Sequence, residues 1–206
     1  MGSKLILISG LLGLLGCATV VITNIIGILV VDAHNPISDT ISGLAIGKYA
    51  WIQDFGLDVF AVGLIACAIG LYVFRRGGIR WRVGVLLLGI LGFDIFLIAE
   101  HNQYANRVDS DGAAIHLYCV YVLGILFALL TFLTASGLRK LGESWYRFGL
   151  WTSLIWTVAA PLFLITPTGW DGIYERGVAL IMVTWVVGIS WLLVQQGYQR
   201  LLVRQA

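Results

Sequence analysis

Residues 5–31 read LILISGLLGLLGCATVVITNIIGILVV, a run with no charged side chain anywhere in it. About 20 apolar residues in a helix cross the roughly 30 Å hydrocarbon core of a bilayer, so this run is long enough to span. Unpaired peptide groups are too costly in that core, which leaves the helix as the solution for an open chain. Lys4 followed by LILISGLLGLLG has the look of a signal peptide, and Leu14-Leu15-Gly16-Cys17 approximates a lipoprotein cleavage box. The apolar run continues to Val31 with no polar mature sequence behind the cysteine, so an uncleaved anchor is expected.

Working outward, five more runs of the same kind follow at 55–74, 81–99, 112–136, 146–166 and 174–197. The whole chain is 59 % hydrophobic and 12 % charged with a mean hydropathy of +0.92, whereas soluble domains run near a quarter charged. The expected fold is all-α: a polytopic membrane protein of one domain, residues 1–206, with six transmembrane helices in one bundle. Little chain is left for a separate soluble domain. Cys17, Cys67 and Cys119 lie inside apolar runs without CxxC spacing and read as small packing residues. Gly10, Gly13, Gly16 and Gly27 give the first helix a small face on which another helix can approach closely. Pro161 removes a backbone bond and is expected to bend the fifth helix.

Orientation follows from Lys and Arg. With the N-terminus inside, Lys4, Arg75, Arg76, Arg80, Arg82, Arg139, Lys140, Arg147, Arg200 and Arg204 are cytoplasmic, against Lys48, Arg107 and Arg176 outside. This bias places both termini in the cytoplasm. The acids partition the other way: Glu143 alone is inside, and the ten others lie at the outer ends or in the outer loops, giving −7 outside and +9 inside. Trp51, Trp170 and Tyr174 outside, with Trp81, Trp145 and Tyr146 inside, read as interfacial aromatic belts.

The polar chemistry is therefore concentrated at one end of the bundle, above all in HNPISDTISGLAIGKYAWIQDFGLD, residues 34–58. Asp54 and Asp58 are four apart and share a face at the start of the second helix, where the helix dipole favours carboxylates. Asp94 lies inside the third apolar run, where ionisable groups usually face the bundle interior or water, and His101 follows on roughly the same face. His116 and Cys119 are one turn apart in the fourth run. Glu175 and Arg176 open the sixth, and Arg176 is placed either to neutralise an outer acid or to hold a phosphate or carboxylate headgroup. The candidate ligand-binding residues are His34, Ser38, Ser42, Asp54, Asp58, Asp94, His101, His116, Glu175 and Arg176. Asp58, Asp94 and His116 are the candidate catalytic groups. His34, His101, His116, Asp58 and Asp94 are the candidate ligands of a divalent metal, although no HExxH or other fixed spacing accompanies them. Lys4, Lys48 and Lys140 are all at ends or in loops, so no lysine is buried to carry retinal. No nucleic-acid motif is visible.

The segment NPISDTISGL followed by AWIQDFGLD resembles the bacterial and archaeal membrane family known as domain of unknown function 998. The matching positions are Asn35, Pro36, Ser38, Thr40, Ser42, Asp54, His116, Glu175 and Arg176. The resemblance implies a six-helix fold in a bacterial or archaeal plasma membrane, and it brings no substrate with it. The same segment is distantly similar to the first outer loop of the DRAM-like six-helix proteins, with its Pro-x-x-Ser pattern. Three functions fit these residues: binding of a lipid-like or amphiphilic ligand in an outward-facing polar cavity, metal-dependent hydrolysis of a membrane lipid, or service as an accessory subunit. The expected partners are membrane lipids, with either a membrane-protein partner or a second copy of the chain.

Overall fold

The computed structural model describes residues 2–105, 107 and 109–203, all helix or connecting turn without a strand among them. Six helices follow one another: α1 (Gly2–Val30), α2 (Ala50–Phe74), α3 (Ile79–His101), α4 (Asp111–Leu138), α5 (Glu143–Phe163) and α6 (Asp171–Leu202). They form a ring in which α1 packs on α2 and α6, α2 on α3, α3 on α4 and α4 on α5. The ring closes between α5 and α6, along its sparsest seam.

Helix α1 turns mostly small residues inward and large apolar ones outward. On α1 the buried set is mainly Ser9, Gly10, Gly13, Gly16, Cys17, Thr23 and Gly27, whereas Leu11, Leu15, Ile22 and Leu29 are exposed. Lipid solvates large side chains as well as a protein core does, so close backbone approach decides which face is buried. An ideal Cβ on Gly63 of α2 would lie 3.4 Å from the Cα of both Gly13 and Gly16. Gly13 would clash with the Ser190 hydroxyl and the Cys67 thiol, which themselves lie 3.2 Å apart.

Five helices are long and apolar enough to cross a membrane, and this is an integral membrane protein. The exception is α5, whose 21 residues mix Glu143, Arg147, Trp145, Tyr146, Trp151 and Trp156 with the aliphatics. Pro161 lies two residues before the end of α5 and so belongs to its last turn rather than to a bend in mid-helix. Trp81 departs from the belt expected of it. It is buried, with its indole N–H donating to the Leu71 carbonyl at 3.3 Å and its ring covering Gly137. Arg204, counted among the cytoplasmic charges, lies outside the described residues.

Residues 31–49 fold back over one end of the ring as a lid. Asn35 Oδ1 accepts from the Ile37 N–H at 3.0 Å, and Asp39 Oδ2 accepts from the Asn35 N–H at 2.8 Å, closing the Asn-Pro turn. Leu44, in the short helical turn Ser42–Ala45, is fully buried against Gly27. Below the lid the ring is not filled. It is filled again deeper, where Phe127 meets Trp156 and Trp185 edge to face at 4.6 and 5.7 Å between ring centroids.

Candidate functional site

Between lid and aromatic floor lies a partly open cavity of about 990 Å³ lined from all six helices. Its wall is overwhelmingly apolar, with Val20, Val21, Ile25, Leu57, Phe60, Ile95, Ile98, Leu123, Ile125, Leu129, Met182 and Val183 among its members. Gly124 widens it: a Cβ there would meet nothing within 4 Å, and its carbonyl accepts from the Trp156 indole at 2.9 Å. The amide and charged side chains gather at the lid end, where Asn24, Gln53, Asn102, Glu175 and Arg176 line the space together with Ser42.

Arg176 organises that end. α6 begins at Asp171, so Arg176 sits a full turn inside the helix rather than at its opening, and from there it reaches the lid. Its Nη1 donates to the carbonyls of Pro36 (3.1 Å), Asp39 (2.8 Å) and Gly172 (3.0 Å), its Nε to Asn24 Oδ1 (3.3 Å) and its Nη2 to His34 Nε2 (3.0 Å). No acid is paired with it among the described residues, so it clasps the lid instead of neutralising the rim. A guanidinium has no acceptor. His34 Nε2 must therefore be unprotonated, which puts the imidazole proton on Nδ1, 3.9 Å from Asp39 Oδ2. Burial, and after it the Arg176 charge, hold His34 below its ordinary pKa of 6.5, while Asp39 opposes them. Asp39 is held below the usual carboxylate value by the Asn35 N–H and then by the Ser38 hydroxyl. Glu175, the neighbour of Arg176, accepts from the Ile41 N–H at 2.6 Å and ties the lid a second time.

The same donor-only logic fixes the amides. Asn24 gives its oxygen to Arg176, so its Nδ2 faces Gln53 Oε1 at 3.4 Å. Gln53 is thereby turned with its Nε2 away, and that nitrogen has no partner although the side chain is 1 % exposed. On the other flank Asn102 Nδ2 donates to Asp54 Oδ1 at 3.2 Å and leaves Oδ1, again buried, without a partner.

The remaining candidates fall in separate places. Ser42 Oγ shares a hydrogen bond with His116 Nε2 at 3.3 Å, and His116 Nδ1 is a further buried atom without a partner. Asp94 is buried with its carboxyl beside the Cys119 thiol, while one of its oxygens is unpartnered. Ser38 bonds to Asp39, and His101 Nδ1 to the Leu97 carbonyl at 2.8 Å. Asp58 is half-buried on α2, away from the cavity lining. α2 begins at Ala50, so Asp54 and Asp58 lie beyond its first turn, out of reach of the dipole account given for them. His34, His101, His116, Asp58 and Asp94 do not converge: no group of three His, Cys, Asp or Glu able to hold a metal ion is present among the described residues.

The family described as Protein of unknown function (DUF998) matches residues 14–192. This chain belongs to the DUF998 family. No curated protein and no solved structure matches the chain, and the family match does not extend to the DRAM-like proteins. The DUF998 match contains every residue of the cavity wall, from Val20 to Val183. Of the ten residues chosen from sequence, only Ser42, Glu175 and Arg176 line this DUF998 cavity. Asn24, Gln53 and Asn102 were missed. The signal available for Asn24 was its place inside an uncharged run, ITNIIG, where a polar side chain in a span usually bonds to another helix.

Proposed function

We propose that this protein holds a lipid-like or amphiphilic molecule in the lidded cavity of a six-span bundle, with both termini cytoplasmic and the lid facing outward. The observation that carries the reading is an apolar space of about 990 Å³ whose amide and charged side chains sit at the lid end. Cavities of roughly 300–1,000 Å³ with a few placed polar groups are what small-molecule sites look like, and this one suits a ligand with a hydrocarbon body and a polar tip. The orientation is supported by the excess of Lys and Arg at the end that carries the termini, and the count by the path of the chain. Ser42 meets His116 near the start of α4, and Arg176 meets the lid near the start of α6. α5 therefore returns along the bundle from the far end, bonding through Ser153 and Trp156 to α4 and at Ala159 to Tyr174 of α6. Gly197 of α6 lies against Leu7 of α1, which keeps the two terminal segments at one end.

The test is extraction into polymer-bounded bilayer discs, without detergent, followed by mass spectrometry of the co-purified lipids. One amphiphile should be enriched over the bulk membrane in near-stoichiometric amount, and Gly124→Phe, which fills the cavity, should lose it. A lipid profile equal to the bulk in both proteins overturns the reading. Stoichiometric zinc, iron or manganese in its place would overturn it in favour of lipid hydrolysis.

A further inference from the structure

The polar end of the cavity also specifies what tip it accepts, an inference that rests on the amphiphile reading above. Anions are poorly served. Among the described residues Arg176 is the only cation lining the space, and its donors are directed to three carbonyls, Asn24 and His34. Glu175 stands beside it as the only acid in the lining among the described residues. An anionic headgroup would have to pull Arg176 off the lid while facing a carboxylate, and a cationic one would meet Arg176 itself. What the wall leaves unmet is a neutral pair: the Gln53 amide nitrogen, a donor, and the Asn102 amide oxygen, an acceptor, each on a side chain 1 % exposed. Buried polar atoms without partners are rare in native folds and call for an explanation. Neither amide can turn over to help itself, because Asn24 holds Gln53 by its oxygen and Asp54 holds Asn102 by its nitrogen. A partial rotation about the soft terminal torsion of either side chain directs the unmet atom to a ligand seated against the wall. A hydroxyl both donates and accepts, as does a primary or secondary amide.

Size narrows the body. At roughly 30 Å³ per heavy atom, the share of one water molecule in the liquid, about 990 Å³ accommodates on the order of 30 heavy atoms. That is enough to seat one hydrocarbon chain and a small head inside the bundle. We propose that the cavity between the lid and the Phe127–Trp156 floor is a site for a single-chain amphiphile with an uncharged hydroxyl or amide head, read by Gln53 and Asn102.

Trp156 lines the cavity and reports on its contents. The full chain in polymer discs is titrated with four chain-brominated probes of equal length: a monoacylglycerol, a primary fatty amide, a fatty acid and an alkylamine. Quenching that is absent in Trp156→Phe measures occupancy. The monoacylglycerol and the amide should bind roughly tenfold tighter than the acid and the amine, the ratio that about one hydrogen bond supplies. Gln53→Met, which keeps the length and removes the donor, should weaken the two neutral probes by about the same factor and leave the charged probes unchanged. Comparing probes on the unaltered protein needs no variant to fold. Acid or amine binding as tightly as the neutral probes, or Gln53→Met weakening all four equally, overturns the headgroup assignment while leaving the amphiphile reading in place. Loss of all quenching in Gly124→Phe marks the cavity as the site. If no probe binds even the unaltered protein, it is the amphiphile reading that fails.

Discussion

Nη2 of Arg176 donates to Nε2 of His34 across 3.0 Å, joining residues 142 positions apart. The bond exists only while the imidazole is neutral, because a protonated ring would present N–H to a guanidinium. Arg176 and Asp39 are the charged groups that face His34. The folded site resists protonation, and the unfolded chain takes up the proton at its ordinary pKa of 6.5. Between the depressed folded value and 6.5 the unfolded state binds more protons, so stability falls as pH falls through that window and is whole above it. Asp39 contributes separately: its stabilisation is present above the ordinary 3.8 and is lost only as pH falls through its lower folded value. The His34 contribution to the melting temperature of the reconstituted protein should therefore shrink between about pH 7.5 and about pH 5.5. His34→Gln, whose amide oxygen accepts from Arg176 without titrating, should flatten that slope. An unchanged slope in the variant would assign the pH response to other groups.

Arg176 reaches five acceptors in a fixed fork, three of them in the lid (His34, Pro36 and Asp39), a geometry that a lysine ammonium cannot copy. Arg176→Lys should cost about 2–4 kcal/mol of unfolding free energy in mixed micelles, the price of leaving several carbonyls and His34 unmet. Hydrogen exchange should rise first at the Asp39 and Ile173 amides, which bond to Asn35 and Ile37 in the closed lid. If Lys restores wild-type exchange, the charge rather than the fork holds the lid.

Two glycines on the same bundle should answer a methyl group in opposite ways. At Gly10 an added Cβ would lie 2.8 Å from the Val194 backbone nitrogen and 2.9 Å from its side chain, so α1 and α6 must part. Gly10→Ala should destabilise by about 1–3 kcal/mol. At Gly124 the space is open, and Gly124→Ala should gain about 0.5–1 kcal/mol by restricting the unfolded chain. Equal effects in chemical unfolding would mean that one of these two spaces is misplaced.

The spans were legible because a long uncharged run has few other folds available to it in lipid. Their ends were less so. α2 starts at Ala50, five residues before its apolar run, and buries Ile52 and Gln53 of that added turn while Trp51 stays exposed. At the site, charge drew attention to Asp58, Asp94 and His101, none of which lines the cavity. The side chains of the lining that keep an unpartnered polar atom there are the neutral amides Gln53 and Asn102, and the pairings of the amides run 29, 48 and 152 positions along the chain. A single sequence carries no sign of such pairings. Arg176 was singled out, yet its acceptors are backbone carbonyls, which every residue has and no residue type announces.

The sidedness of the bundle can be read with three single cysteines, since Cys17, Cys67 and Cys119 are all buried. Lys48, Lys140 and Gly169 are exposed, in the lid, after α4 and before α6 respectively. Ten of thirteen Lys and Arg fall on the side assigned to the cytoplasm, and that excess opposes translocation of the loops that carry it. On intact cells a membrane-impermeant maleimide should label Lys48→Cys and Gly169→Cys at once, and Lys140→Cys only after permeabilisation. The pair Lys140 and Gly169 isolates α5, the helix too polar to qualify on hydropathy. Opposite sides for that pair mean that α5 crosses and the chain spans six times. The same side would leave α5 folded within the membrane's thickness without crossing, and would put α6 in the reverse orientation to the one its Arg176 clasp requires.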